Sequence, residues 1–280
     1  MAAQTRQSYR RAWRHFHDYL RLLSTKLVLP IPELCLANFI GFLFEQEYAP
    51  GSILSIMSAL SFVHKILSLP DPTDSFLVKK LLLGCRKLRG QKDARLPITL
   101  SILDSILGSA DGMFTDQFSK CRFKAMCALA FHALLRIGEM TASHNNLSLD
   151  CIKLDSGFLT LQFCKYKHSV DSVSNHRIKA SPGSLHCPVK TMAAYLKLRG
   201  SRPGPLFLSC SGTAIFRKSF ISELKLALRR AGIYDPRYTS HSFRIGGASF
   251  LASQGASEIQ IRQAGRWASN AFMAYIRINR

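Results

Sequence analysis

The chain has 280 residues, 47% of them hydrophobic, with 38 Lys and Arg against 17 Asp and Glu and a formal charge of +21. That length allows one large domain or two modest ones with ample core, and the composition excludes a disordered or low-complexity chain. The charge runs through the sequence, since residues 1–95 already carry 14 basic and 7 acidic side chains; the folded parts themselves are basic, and a nucleic acid is the expected partner, a basic protein without one being the bland alternative.

The first ninety residues read as helices. Thr5 to Leu23 carries Tyr9, Trp13, Phe16, Tyr19, Leu20 and Leu23 at helical spacing, with Arg6, Arg10, Arg14 and Arg21 opposite. Pro30 and Pro32 break the chain, and Pro32 suits the first turn of a helix to about Glu47. Ala49-Pro50-Gly51 is a second break, followed by a helix over Ser52 to Leu69. After Pro70-Asp71-Pro72, Thr73 or Asp74 can cap a fourth helix to about Leu88. Arg86 to Leu96 is charged and poor in apolar residues, so it reads as a linker or domain edge. The expected division is 1–92, an all-helical module, and 93–280, a second domain.

Pro97 and Thr99 open a new helix, and Ser119 to Met140 predicts one long apolar helix. Two strand-like runs follow within Leu147 to Phe163, joined through Asp155-Ser156-Gly157, and Tyr166 to Ile178 reads as a hairpin and return strand. Helices are expected again over Val189–Leu198, Phe216–Ala231, Ser242–Gln254 and Glu258–Ala264. The fold class is therefore mainly α, with one small antiparallel β-sheet in the second domain.

The eight cysteines (Cys35, Cys85, Cys121, Cys127, Cys151, Cys164, Cys187 and Cys210) form no CxxC pair and match no common zinc spacing. A reducing compartment suits them. The N-terminal residues lack the apolar stretch of a signal peptide, and no run reaches the ~18 apolar residues of a membrane span. No membrane partner is expected, and no basic run stands out as a nuclear address.

Four islands carry chemistry. Arg136 ends an apolar run, where an Arg rarely sits unpaired; either Glu139 pairs it structurally or it points into an anion site. His241 and Arg244, three apart on a helix, share a face that can offer two donors to one phosphate, though a bare HxxR is a common match. Trp267, in Gly265-Arg266-Trp267, offers an indole donor or is an ordinary core Trp. Tyr275 carries a phenol, a poor nucleophile at an ordinary pKa of ~10 unless cations surround it; otherwise it is a half-buried ring near a chain end.

Their order changes the weighing. An Arg in FHALLRIGEM, then HxxR about a hundred residues on, then Gly-Arg-Trp, then a Tyr resembles the tyrosine recombinase (lambda-integrase-like phage integrase) family. HSFRIGGASFLASQGASEIQIRQAGRWASNAFMAYIR is similar to its C-terminal signature and looks most like the eukaryotic retroelement branch, the DIRS-like and Ngaro elements. The likeness spans essentially the whole chain.

The resemblance implies a DNA recombinase or integrase that cleaves and rejoins strands through a covalent 3′-phosphotyrosine, without metal, ATP or other cofactor. Arg136 and Arg244 would neutralise charge on the nonbridging oxygens, with His241 assisting proton transfer or binding the phosphate. Trp267 would pack the site and donate a hydrogen bond, Glu139 would brace it, and Tyr275 would be the nucleophile. A Lys on the β-hairpin would be the general acid: Lys165, with Lys167 as the alternate; both coating a basic hairpin is the bland reading. Residues 1–92 resemble the family's core-binding (SAM-like) domain and 93–280 its catalytic domain, a clamp on double-stranded DNA. Lys87, Arg89, Lys92 and Arg95 are candidate backbone contacts. The implied assembly is a homo-tetramer on two DNA sites when synapsed and a monomer or weak oligomer when free; the implied location is the nucleus.

Two departures bear on this. The Trp267–Tyr275 spacing is one residue shorter than in many bacterial and phage members, and the sequence ends five residues after Tyr275, where many relatives carry a segment that docks on a neighbouring subunit. The competing readings are a domesticated DNA-binding protein without catalysis, a type IB topoisomerase-like nickase, and an unrelated basic scaffold.

Overall fold

The computed structural model describes residues 3–90, 93–163 and 174–277. The chain divides into two compact units, Met1–Asp93 and Ala94–Arg280, of different construction.

The first unit is all-helical: α1 Ala3–Leu22, α2 Glu33–Glu45, α3 Pro50–Ile66 and α4 Phe76–Arg89. Pro50 occupies the first turn of α3, where a missing N–H costs nothing. The apolar stripes read from the sequence meet in one core around Phe16, Phe39, Ile40, Leu43, Ile53 and Leu60. One polar group is built into that core. His64 is fully buried; its Nε2 accepts from the Ile31 N–H at 3.0 Å, so its Nδ1 carries the proton given to the Leu60 carbonyl at 2.8 Å. The chain entering α2 is thereby pinned to α3.

Two local expectations are corrected. The cap of α4 is Ser75, whose hydroxyl accepts from the Val78 N–H at 3.2 Å, not Thr73 or Asp74. Asp71 instead caps the short turn before it; burial opposes its ionisation, but hydrogen bonds from Ser61 and Thr73 and the nearby Lys65 outweigh burial and hold its carboxyl down to about 2. Arg86 to Arg89 are the last turn of α4 rather than linker, because cations suit the carbonyl end of a helix.

The second unit is mostly helical with a small sheet. Its helices are α5 Leu100–Ser109, α6 Gln117–His132, α7 Ile137–Met140, α8 Pro188–Arg199, α9 Arg217–Arg230, α10 Ser242–Ser253 and α11 Glu258–Ala264. Three strands, β1 Ile152–Asp155, β2 Phe158–Phe163 and β3 Ser174–Lys179, form an antiparallel meander. Gly157, at φ +90°, makes the turn between β1 and β2. Along β2, Leu159, Leu161 and Phe163 face the core and alternate with partly exposed neighbours.

Helix α6 is buried along nearly its whole length, including Phe123, Met126, Leu129 and Phe131, and packs against α8 and α10. Gly246 and Gly247 let α10 come within main-chain distance of its neighbours. A Cβ on the first would run into the Ile98 carbonyl and on the second into the Phe131 carbonyl. Arg199 is a buried staple whose guanidinium donates to the Gly200, Arg202, Pro205 and Leu206 carbonyls.

The single helix expected over Ser119 to Met140 is broken. Helix α6 stops at His132, Leu134 takes φ +48°, and a new turn starts at Ile137. The segment carrying Tyr275, Asn270–Tyr275, is a 3-10 helix that the apolar pattern did not mark.

Candidate functional site

Arg136 owes its place to the break after α6. Leu134 turns the chain into the left-handed region, and Arg136 is extended at φ −76°, ψ 146° immediately before α7. Its N–H donates to Glu139 Oε2 at 2.7 Å, a carboxylate closing the first turn. The side chain meets Glu139 Oε1 only at 3.4 Å and stays 32% exposed. Its other terminal nitrogen has no partner among the described residues.

Arg244 lies in the first turn of α10 and is fully buried. It donates to the Leu134 carbonyl and, at 3.1 Å, to the Gly265 carbonyl. Burial, and then the charges of Arg136 and Arg266, pull its pKa down to about 9. The Trp267 ring covers the guanidinium at 4.3 Å, and the Tyr275 ring lies 5.5 Å from it. Gly265 is required beside this stack, because a Cβ there would run into the Trp267 ring.

Tyr275 packs against Trp267 with ring centroids 5.0 Å apart, and its hydroxyl lies 2.8 Å from His241 Nε2. Its main chain is held through Ser249, whose hydroxyl donates to the Tyr275 carbonyl at 3.4 Å and accepts from the Arg277 N–H at 2.7 Å. His241 is the residue before α10 and Arg244 its third, so the HxxR spacing puts the imidazole at the mouth and the guanidinium in the floor.

The structure therefore joins Arg136, Glu139, His241, Arg244, Trp267 and Tyr275 in one contiguous set. Trp267 packs on its neighbours, but no described group accepts from its indole N–H. Lys165 and Lys167 lie outside the described residues, as does Lys92. Lys87 is exposed on α4 in the first unit, and Arg95 lies at the start of the second unit. The Arg89 guanidinium sits 3.8 Å over the Phe44 ring and donates to the Phe44 carbonyl, which commits it within the first unit.

One member was not singled out by sequence. Arg266 is buried and bonds Glu139 Oε2 at 2.9 Å. The visible signal was its position in the Gly-Arg-Trp island, where Trp267 drew the attention. With Arg266 the described residues of the site include three guanidiniums against the one carboxylate of Glu139. The excess positive charge, partly out of water, complements an anion with several oxygens. Among the described residues there is no cluster of His, Cys, Asp or Glu able to hold a metal ion.

Solved structures share this fold. XerH site-specific recombinase bound to a palindromic difH substrate aligns with a TM-score of 0.70 at 17% identity, over 96% of this chain and 75% of that one. The Tn1549 transposon integrase in complex with transposon right-end DNA gives 0.69 at 14%, over 100% and 91%. A lambda integrase dimer bound to a COC′ core site gives 0.65 at 15%, over 98% and 72%. No curated protein matches the chain in sequence. Residues 101–279, which include every member of the set from Arg136 to Tyr275, match the phage integrase family, and the chain belongs to that family.

Proposed function

We propose that the protein is a site-specific DNA recombinase or integrase that cleaves and rejoins strands through Tyr275. The observation that carries this reading is Tyr275 itself: its hydroxyl lies 2.8 Å from His241 Nε2 and its ring 5.5 Å from the buried Arg244 guanidinium, all within one chain. A phenol with an imidazole to receive its proton and guanidiniums beneath it suits attack on a phosphodiester.

In the forward step the Tyr275 oxygen loses its proton, bonds to phosphorus, and the bond to the 5′-oxygen breaks. Arg136 and Arg244 offset the charge gathering on the nonbridging oxygens. The leaving 5′-oxygen takes a proton from Lys165, with Lys167 as the alternate donor. A 5′-hydroxyl from another strand reverses the step. The phosphodiester energy is kept in the phosphotyrosine link, so the step needs neither ATP nor a metal. Trp267 holds the Tyr275 and Arg244 groups in register, and Glu139 braces Arg136.

The partner on this reading is double-stranded DNA, with four copies on two sites at synapsis; the similar Tn1549 integrase is in complex with transposon right-end DNA. The element type is that of the eukaryotic retroelement branch, on the Gly-Arg-Trp context and the Trp267–Tyr275 spacing, and the place of action is the nucleus.

The test is a duplex nicked beside the cleavage point, so that the released fragment diffuses away and the reaction stalls. Wild type should form a covalent protein–DNA adduct on its cognate site, and Tyr275→Phe should form none. An adduct of equal yield from Tyr275→Phe would overturn the assignment of the nucleophile. Salt-sensitive duplex binding without any adduct would leave a DNA-binding protein of this fold.

A further inference from the structure

We propose that Arg266 is a positioning residue of this site: by sharing the Glu139 carboxylate it keeps the Arg136 guanidinium turned toward substrate instead of closed into an ion pair. The proposal rests on the strand-transfer function proposed for the site. Arg266 itself does not reach substrate, since its side chain is 2% exposed against 32% for Arg136.

The bonding pattern carries the inference. Glu139 Oε2 accepts from the Arg136 N–H at 2.7 Å and from Arg266 at 2.9 Å. Only Oε1 is left for the Arg136 side chain, at the long distance of 3.4 Å. A carboxylate facing one Arg alone tends to close into a two-bond fork, which would occupy the donors that a phosphate needs. With Arg266 in place, that fork is split between two cations.

Arg266 also fixes the turn on which Arg136 stands. It donates to the Ala133 carbonyl at 3.2 Å, to Ala264 at 3.1 Å and to Leu134 at 3.4 Å, and its guanidinium lies 4.0 Å over the Phe163 ring at the end of β2. The Leu134 carbonyl is the one that Arg244 also uses. One buried guanidinium thus ties together the turn before Arg136, the acceptor of Arg244, the end of α11 and the end of β2. The backbone of Arg266 takes φ +54°, in the left-handed region that a non-glycine residue holds where its surroundings demand it.

The experiment measures single-turnover cleavage of the nicked duplex by wild type, Arg266→Gln, Arg266→Lys, Arg136→Lys and the Arg136→Lys/Arg266→Gln double variant. Duplex affinity and thermal midpoint are recorded for each. Arg266→Gln should bind duplex as wild type does but cleave about 100-fold more slowly, the scale of a misplaced catalytic group. Arg266→Lys should recover part of that rate. In the Arg136→Lys background the loss of Arg266 should add little, because it acts through Arg136. Folded Arg266 variants that cleave at the wild-type rate would overturn the proposal, as would a loss that merely follows the unfolded fraction, or fully additive losses. If Arg266→Gln does not fold, Arg266→Lys alone and in the Arg136→Lys background decides the matter by the same criteria. Absence of any wild-type adduct would instead sink the strand-transfer function, and the positioning role with it.

Discussion

At the residue scale the site turns on how one buried cation is held. Arg244 has no exposure and spans two main-chain carbonyls under the Trp267 ring. A lysine keeps the charge but has one nitrogen head, which cannot reach both carbonyls and still present a planar donor edge. Arg244→Lys should therefore slow adduct formation by about 10²–10³-fold, the usual loss for one preorganised oxyanion donor. Single-turnover kinetics read this directly, and a rate within a few-fold of wild type would remove Arg244 from the site. The sequence displayed these residue types but not their division of labour. His241 and Arg244 both face Tyr275, as three-residue spacing on a helix suggests, but only the structure separates the partly exposed imidazole from the fully buried guanidinium. Arg266 was written in the same island as Trp267, yet an exposed and a buried Arg look alike until Glu139 is seen beside one of them.

At the element scale the main surprise is the break between α6 and α7. Ala133, Leu134 and Leu135 are apolar, so they continue the hydrophobic run of α6 whether the backbone is helical or turned, and periodicity cannot tell these apart. What ends the helix is the three-dimensional demand for two carbonyls, Ala133 and Leu134, as acceptors for Arg266 and Arg244. The strands and the remaining helices were legible because half-buried strands alternate and amphipathic helices repeat. The 3-10 segment under Tyr275 was not, since six residues are too few to show a period. The close crossing of α6 and α10 makes its own prediction. Gly247→Ala places a methyl group against the Phe131 carbonyl and should lower the unfolding free energy by about 1–3 kcal/mol, measured by denaturant titration. A neutral effect would mean that the helices have room to part.

The end of α6 also carries a pH dependence. Burial first, and then the nearby charge of His186, pull the His132 pKa down to about 4, while the unfolded chain keeps the ordinary value near 6.5. Below 6.5 the unfolded state binds the proton more readily than the folded one, so stability should fall as pH drops from about 6.5 to 4, by up to about 3 kcal/mol. Replacing the imidazole with a group that does not titrate, as in His132→Phe, should flatten the unfolding free energy across that window. An unchanged slope in this variant would assign the pH dependence to other groups.

At the scale of the whole molecule the charge of +21 governs encounter with DNA. Contacts that neutralise phosphates release counterions, so duplex affinity should fall steeply with salt, by about 10³–10⁵ between 50 and 200 mM if on the order of 6–10 phosphates are neutralised. Affinity that ignores salt would show that the basic surface is not the binding surface. The sequence made this partner legible early because charge is additive and needs no fold. Charge alone does not say which cations touch the backbone; Arg89, a candidate by position, holds its guanidinium over the Phe44 ring.

On the proposed function, one phenol in this chain becomes covalently joined to DNA. This is tested most directly by digesting the stalled protein–DNA adduct with trypsin and nuclease and locating the nucleotide mass by fragmentation. The remnant is expected on the peptide from Trp267 to Arg277, attached at Tyr275. Attachment at any other residue, or a cognate duplex cut with no covalent protein on either strand, would contradict it.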